Sequence, residues 1–298
     1  MLPDRVGALL DGAVDGAAVR AALEPFAPEL AQYAEYVVVP GETGLGFMTR
    51  GEDETFTARA GQLLDGLGFP GTAVLHHRAL ARWFEHKRAF FKVEWRRHGD
   101  GALTPRATCY FRRRPNVVDV AERLRGMGID EDVLRGVADV ARITGKHTAH
   151  FVSAAFALDR PVEHKLYFSQ YAKPGQRAAM AGHVDELLRR FEVGPGARAR
   201  WARLHGRCLP EGSPTFFISV SFGARRLEPT LKLDYPAVPP EVAASWVDEG
   251  SRAEALRVAE DACAAVGTSK LTYLGVRLRG GDDGVKTKYY LDLPRARR

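Results

Sequence analysis

Long apolar runs are missing from this chain of 298 residues. None approaches the roughly 20 residues that a membrane-spanning helix needs. The start, Met1-Leu2-Pro3-Asp4-Arg5, lacks the basic opening and continuous apolar core of a signal peptide. Cysteine is scarce: Cys109, Cys208 and Cys263 show no CxxC or His-Cys spacing. That excludes a disulfide framework and points to a reduced, cytoplasmic protein. There is no GxxxxGK[ST] loop, no GxSxG, no HExxH and no DDxxD, so the common phosphate-loop, serine-nucleophile and zinc signatures are absent. The basic runs Arg112-Arg113-Arg114 and Arg295 to Arg298 are not interleaved with aromatics, so no nucleic-acid surface is expected. No linker or low-complexity segment interrupts the chain, which reads as a single domain over 1–298, and as a monomer.

What is present is ordinary in bulk. The chain is 45% hydrophobic and 27% charged, enough to bury a sizeable core. Its net charge of +6 favours anionic ligands in general.

The informative feature is alternation. In Glu163 to Tyr171, Leu166 and Phe168 fall on one face of a strand, and Glu163, Lys165, Tyr167, Ser169 and Tyr171 on the other. Arg106, Thr108 and Tyr110 alternate with Ala107, Cys109 and Phe111. Thr230, Lys232 and Asp234 alternate with Leu231, Leu233 and Tyr235. Lys286, Lys288, Tyr290 and Asp292 alternate with Thr287, Tyr289, Leu291 and Leu293. Four strands far apart in sequence thus offer cations at a spacing of two, which suggests one shared cationic surface.

The element order repeats. A helix over 16–34, interrupted at Pro25 and Pro28, precedes a hairpin with arms 36–39 and 45–50 around a turn at Pro40 to Gly44. Helices at 55–67 and 72–86 precede a hairpin with arms 90–96 and 106–112 around a turn at His98 to Gly101. Helices at 117–125 and 131–143 precede arms 148–157 and 162–171. Helices near 175–191 and 196–206 precede arms 215–222 and 228–235. Helices near 239–248 and 251–265 precede arms 271–279 and 285–293, joined by Gly280-Gly281-Asp282-Asp283-Gly284, a strong turn signal and otherwise a solvated loop. Two helices and a hairpin recur with a period of roughly 55 residues.

Five hairpins give ten antiparallel strands, near the limit at which a twisted sheet must curl or close. Closure removes exposed edges. The amphipathic helices need an apolar partner, and the Leu166/Phe168/Leu231/Leu233/Leu291 face supplies it. The expectation is an α+β fold: a ten-stranded antiparallel β-barrel inside a ring of helices, its polar strand face lining a lumen. The alternative is a flatter sheet with helices on one face and the cations solvated.

Together, Lys165-Leu-Tyr167-Phe168-Ser169, Arg106-Ala-Thr108-Cys-Tyr110-Phe111, Ser219-Val-Ser221-Phe222-Gly223 and Lys286-Thr-Lys288-Tyr289-Tyr290, in that hairpin order, resemble the bacterial aromatic prenyltransferases of the ABBA type, the PT barrel. The resemblance implies that lumen cations hold the diphosphate of an allylic donor, that tyrosines screen the allyl cation, and that an aromatic acceptor lies across the chamber. Carried over by position, Arg106 matches the second-hairpin lysine, Tyr167 the third-hairpin tyrosine, and Lys286 or Lys288 the last-hairpin lysine. Lys232 stands near a fourth-hairpin arginine, and Lys165 where some relatives have asparagine. Ser219, Ser221 and Tyr273 are placed in the acceptor pocket. Relatives that need magnesium carry an aspartate in the second strand of the first hairpin. Here Leu45 to Arg50 holds no acid, which implies a magnesium-independent enzyme without a resident cofactor, with Arg50 adding positive charge to the diphosphate site.

The residues support that chemistry. Preorganised cations stabilise charge growing on a departing diphosphate, and the faces of Tyr110, Tyr167 and Tyr290 suit an allyl cation. Glu94 is either a base for the acceptor proton or an ion-pair partner of Lys92 or Arg106, with Glu163 and Asp234 as alternative bases. His147 and His150 are kept out of the site as structural. The competing reading is a barrel that binds an anionic or lipid-like ligand without chemistry.

Overall fold

A computed structural model describes residues 2–11, 16–40, 44–85, 88–97, 103–112, 114–170, 176–209 and 216–293. The turn at His98 to Gly101, Tyr171, Arg113 and the basic end Arg295 to Arg298 lie outside the described residues.

The chain opens with α1 (Asp4–Asp11), α2 (Gly16–Leu23), a 3-10 turn (Glu24–Phe26) and α3 (Ala27–Gln32). The single helix expected over 16–34 is therefore three pieces, broken where Pro25 and Pro28 lack the donors that a continuous helix needs. The rest is regular: β1 (Ala34–Val38), β2 (Gly44–Gly51), α4 (Glu54–Gly66), α5 (Gly71–Trp83), β3 (Ala89–Arg97), β4 (Leu103–Phe111), α6 (Val117–Gly126), α7 (Glu131–Ile143), β5 (Phe151–Ala157) and β6 (Arg160–Gln170). Then come α8 (Arg177–Arg190), α9 (Pro195–Cys208), β7 (Phe216–Phe222), β8 (Leu227–Val238), α10 (Pro240–Ala244), α11 (Arg252–Val266), β9 (Leu271–Arg279) and β10 (Val285–Leu293). The helix expected over 239–248 is only the short α10 followed by a 3-10 turn at Glu249–Ser251.

Each strand pairs antiparallel with its sequence neighbour, and β1 also pairs with β10, Ala34 opposite Leu293 and Tyr36 opposite Leu291. The ten strands close into a barrel, not the flatter sheet. Local signals set the helix boundaries. The Asp53 carboxylate accepts from Phe56 N at 2.7 Å at the start of α4, and Asn116 Oδ1 accepts from Val118 N at 2.9 Å at the start of α6. Asp283, in the exposed loop of the last hairpin as expected, also accepts from Gly196 N at 2.7 Å and ties that hairpin to the start of α9.

The core is the shell between strands and helices. Leu166, Phe168, Ile218, Leu231, Leu233, Val276 and Leu291 point outward and are fully buried. Truncating one of the larger of these, such as Phe168→Ala, would cost about 3–5 kcal/mol. Because side chains alternate along a strand, the same register turns Lys165, Tyr167, Lys232, Lys288 and Tyr290 into the lumen. The outward packing thus aims the polar row.

Candidate active site

The lumen has two poles. At the hairpin-turn end, a cavity of about 50 Å³ is lined by Lys92, Arg96, Arg106, Arg160, Lys165, Arg277 and Lys288, seven cations, against two carboxylates, Glu94 and Glu163. At the opposite end, where strands meet the helices, a chamber of about 450 Å³ is lined by Tyr33, Phe90, Tyr110, His150, Phe151, Tyr167, Phe217, Tyr273, Tyr290 and Met48. Its charges nearly balance: Arg50, Arg112, Arg114 and Lys232 against Glu35, Asp234 and Asp292.

Between the poles lies a layer of lysines and tyrosines. Lys232 Nζ donates to the Tyr290 hydroxyl at 3.0 Å, sits 4.9 Å from that ring's centre and 5.9 Å from that of Tyr167, and pairs with Asp234 at 2.6 Å. Lys92 Nζ is 5.9 Å from the ring centres of both Tyr110 and Tyr290. The Tyr110 and Tyr167 hydroxyls share a hydrogen bond, and their rings are 5.8 Å apart. Three tyrosine faces thus already hold ammonium heads. Gly275 leaves room for this layer: a Cβ there would lie 3.0 Å from Lys232 Cε and 3.1 Å from Tyr290 Cε2.

On the cationic side, one carboxylate holds the centre. Glu94 Oε1 accepts from Lys288 Nζ at 2.5 Å and lies 2.7 Å from Lys92 Nζ, while Oε2 is 3.5 Å from Arg96. Burial pushes the Glu94 carboxyl up, but Lys288, Lys92 and Arg96 outweigh it and hold it well below the usual range. Gly46, its cross-strand partner, has no side chain because a Cβ would lie 2.7 Å from Glu94 Cγ. Glu163 is 3.1 Å from Lys165 and hydrogen-bonded to Ser221, and it is held at about 2 because Lys165 and those contacts outweigh its burial. Burial lowers Lys165 to about 8, with Glu163 opposing. Ser153 and Ser219 flank Lys165 and Tyr167 on the neighbouring strands, and among the described residues neither buried hydroxyl has a hydrogen-bond partner.

On the aromatic side, Glu35 is 3% exposed and accepts from the Tyr33 hydroxyl at 3.2 Å. Burial, reinforced by Asp292 opposite, pushes its carboxyl up to about 8. His150 packs edge-on against Phe151 and Phe217, and burial with the nearby Arg112 lowers it to about 4, so it is neutral at pH 7.

The residues singled out in the sequence therefore divide. Arg106, Lys165, Lys288 and Glu94 meet at the cationic pole. Tyr110, Tyr167, Tyr290 and Lys232 form the middle layer at the floor of the aromatic chamber. Tyr273 lines that chamber, Ser219 lies between Tyr167 and Lys232 on the neighbouring strands, and Ser221 lies beside Lys165. Arg50 lies at the aromatic end, its guanidinium 5.6 Å from the Tyr33 ring centre. Lys286 is on the lumen face but exposed, one pair beyond Lys288, and lines neither cavity. His150, kept out of the site in the sequence reading, is in the chamber wall.

Sequence reasoning missed Lys92, Arg96, Arg277, Tyr33 and Glu35 as site residues. Lys92 shares the Phe90, Lys92, Glu94 face, a usable signal. Glu35 precedes the expected strand start at Tyr36, so the alternation that would have exposed it began one residue too late. Among the described residues no group of three or more His, Cys, Asp or Glu side chains could hold a metal ion, and no helix is long and apolar enough to cross a membrane.

No protein-family model and no curated protein sequence matches the chain. Solved structures do. 5-Dimethylallyltryptophan synthase from Streptomyces coelicolor superposes with a TM-score of 0.51 at 12% identity, covering 99% of this chain and 96% of that one. NotF prenyltransferase superposes at 0.58 and 13%, covering 89% and 81%. The prenyltransferase PriB, solved with L-tryptophan and dimethylallyl thiolodiphosphate, superposes at 0.53 and 14%, covering 96% and 92%. At such identities the likeness is one of fold: this chain has the barrel of the ABBA-type prenyltransferases.

Proposed function

We propose that the protein is an aromatic prenyltransferase. It would transfer a dimethylallyl or geranyl group from the allylic diphosphate to an aromatic or other electron-rich small molecule, by a Friedel-Crafts-type alkylation. The observation that carries this is the polarity of the lumen: a cation-rich pole and an aromatic chamber separated by three tyrosine faces. The prenyltransferase names of the superposed structures support it.

Lys165, Lys288, Lys92 and Arg106 receive the diphosphate head, with the unpartnered Ser153 and Ser219 hydroxyls free to donate. As the allylic C–O bond breaks, charge grows on the departing oxygen, and these fixed cations stabilise it more than the ground state. Tyr110, Tyr167 and Tyr290 face the resulting allyl cation and exclude water from it. The acceptor ring lies in the chamber above them and attacks through carbon. Glu35 accepts a hydrogen bond from the acceptor's N–H or O–H and, in its ionised form, takes the proton that the ring sheds; because burial raises this carboxyl to about 8, that form is the minor one at neutral pH and grows as pH rises. Glu94, with both oxygens engaged by cations, serves as an ion-pair partner.

The donor is a co-substrate, and no resident cofactor or magnesium ion is required in this scheme. We further propose a single-domain monomer without a nucleic-acid partner, in the cytoplasm, a reducing compartment that its three free, buried cysteines suit.

The test is incubation with dimethylallyl or geranyl diphosphate and a panel of indoles and phenols. Release of inorganic diphosphate together with a mass gain of one prenyl unit on an acceptor is expected. Saturable donor binding without either would favour the non-catalytic barrel for an anionic or lipid-like ligand.

A further inference from the structure

The charge on the cationic pole does not end at the buried lysines. Lys165 has 12% of its side chain exposed, Arg96 24% and Arg160 57%, and all three line one cavity with the exposed Arg277. These residues lead from the centre of the lumen to the outer rim at the hairpin turns. The opposite route is different. An anion leaving through the aromatic chamber must pass Tyr110, Tyr167 and Tyr290 and any product still in place, through a lining whose cations Arg50, Arg112, Arg114 and Lys232 are nearly balanced by Glu35, Asp234 and Asp292.

We propose that the barrel works with two mouths: inorganic diphosphate leaves by the hairpin-turn end along Arg106, Arg96, Arg277 and Arg160, while the acceptor and its product use the aromatic end. This rests on the prenyltransferase reading and adds to it a separate anion-binding track for the leaving group. Seven cations against the two carboxylates Glu94 and Glu163 leave a net positive field that focuses a multiply charged anion along this end and raises its association rate. The track is narrow: the cavity has room for only a few waters, because Glu163 lies against Lys165. Diphosphate therefore moves by replacing Glu163 at Lys165, and Glu163, returning behind it, restores the closed pair.

A plug separates the two mouths. Cys109, Cys208 and Cys263 are buried, so a cysteine placed at the exposed, chamber-lining Asp292 (Asp292→Cys) takes a bulky maleimide selectively. Loss of acceptor turnover verifies the plug. Association of radiolabelled inorganic diphosphate is then followed by rapid filtration. The expected rate is within twofold of that of the unplugged protein, and a fall of more than tenfold overturns the second mouth. Independently, the paired change Arg160→Glu with Arg277→Glu should slow diphosphate association about tenfold at low salt. An unchanged rate removes the track. If diphosphate fails to bind the unmodified protein at all, the donor-site reading falls as well, whereas binding that only the plug abolishes leaves that reading standing.

Discussion

Replacing Glu94 by glutamine should lower stability and raise diphosphate affinity together. Glu94 is one carboxylate against Lys288, Lys92 and Arg96 at 2.5, 2.7 and 3.5 Å, with 9% of its side chain exposed. Glutamine keeps the shape and removes the charge, leaving buried lysines without their counter-ion at a cost of about 3–5 kcal/mol. For 298 residues, unfolding entropy amounts to about 0.6 kcal/mol per degree, so Tm should fall by about 5–8 °C. An incoming diphosphate no longer faces that carboxylate across the lysines. At about 8 Å and an effective dielectric of 20, this repulsion is worth about 2 kcal/mol. Affinity should therefore rise by tenfold or somewhat more. The assay is thermal melting with a diphosphate titration: Glu94→Gln should start lower than wild type and gain about 3 °C more at saturating ligand. A ligand-induced rise equal to or smaller than that of wild type would refute the idea that Glu94 occupies the cations that the donor uses.

Other changes test the same site from different sides. Lys165→Ala should cut turnover about a hundred- to thousandfold while shifting Tm little, since this lysine packs no core; unchanged turnover removes it from the donor site. Because Lys165 is lowered to about 8, its charge is fully present well below that pH, and kcat/KM for the donor should decline as pH rises through 8, a limb absent in Lys165→Arg. Glu35 is raised to about 8, so the folded state holds a proton that the unfolded chain releases near 4.5; wild type should lose up to about 5 kcal/mol relative to Glu35→Gln as pH rises from 4.5 to 8, and parallel stability profiles would contradict this. Turnover should persist in excess EDTA; complete loss that magnesium restores would show that the acid-free segment Leu45 to Arg50 was misread.

The barrel was legible because its outer face is apolar at every second residue: Leu166 and Phe168 could only face helices, and that fixed Lys165 and Tyr167 inside. Glycine and proline marked most strand ends, and the acid at Asp53 and the amide at Asn116 marked helix starts. The partition of the lumen was not legible. Alternation shows which side of the sheet a residue faces, but the height of a side chain along the barrel depends on the stagger between strands. Hence Arg50 and Arg106, both plain lumen cations in the sequence, stand at opposite poles, and Lys286 lies beyond the cavity that Lys288 enters. The pairing of Glu94 with Lys288, 194 positions apart, exists only because β2, β1 and β10 follow β3 around the closed wall.

The central claim is that the donor lies with its diphosphate toward the hairpin turns and its allyl carbon among the tyrosines. A crystal structure with dimethylallyl thiolodiphosphate tests it most directly. The account predicts phosphate oxygens in contact with Lys165, Lys288 and Arg106, and the allyl group against Tyr110, Tyr167 and Tyr290. Phosphates seated on Arg50 and Arg112 at the aromatic end would contradict it.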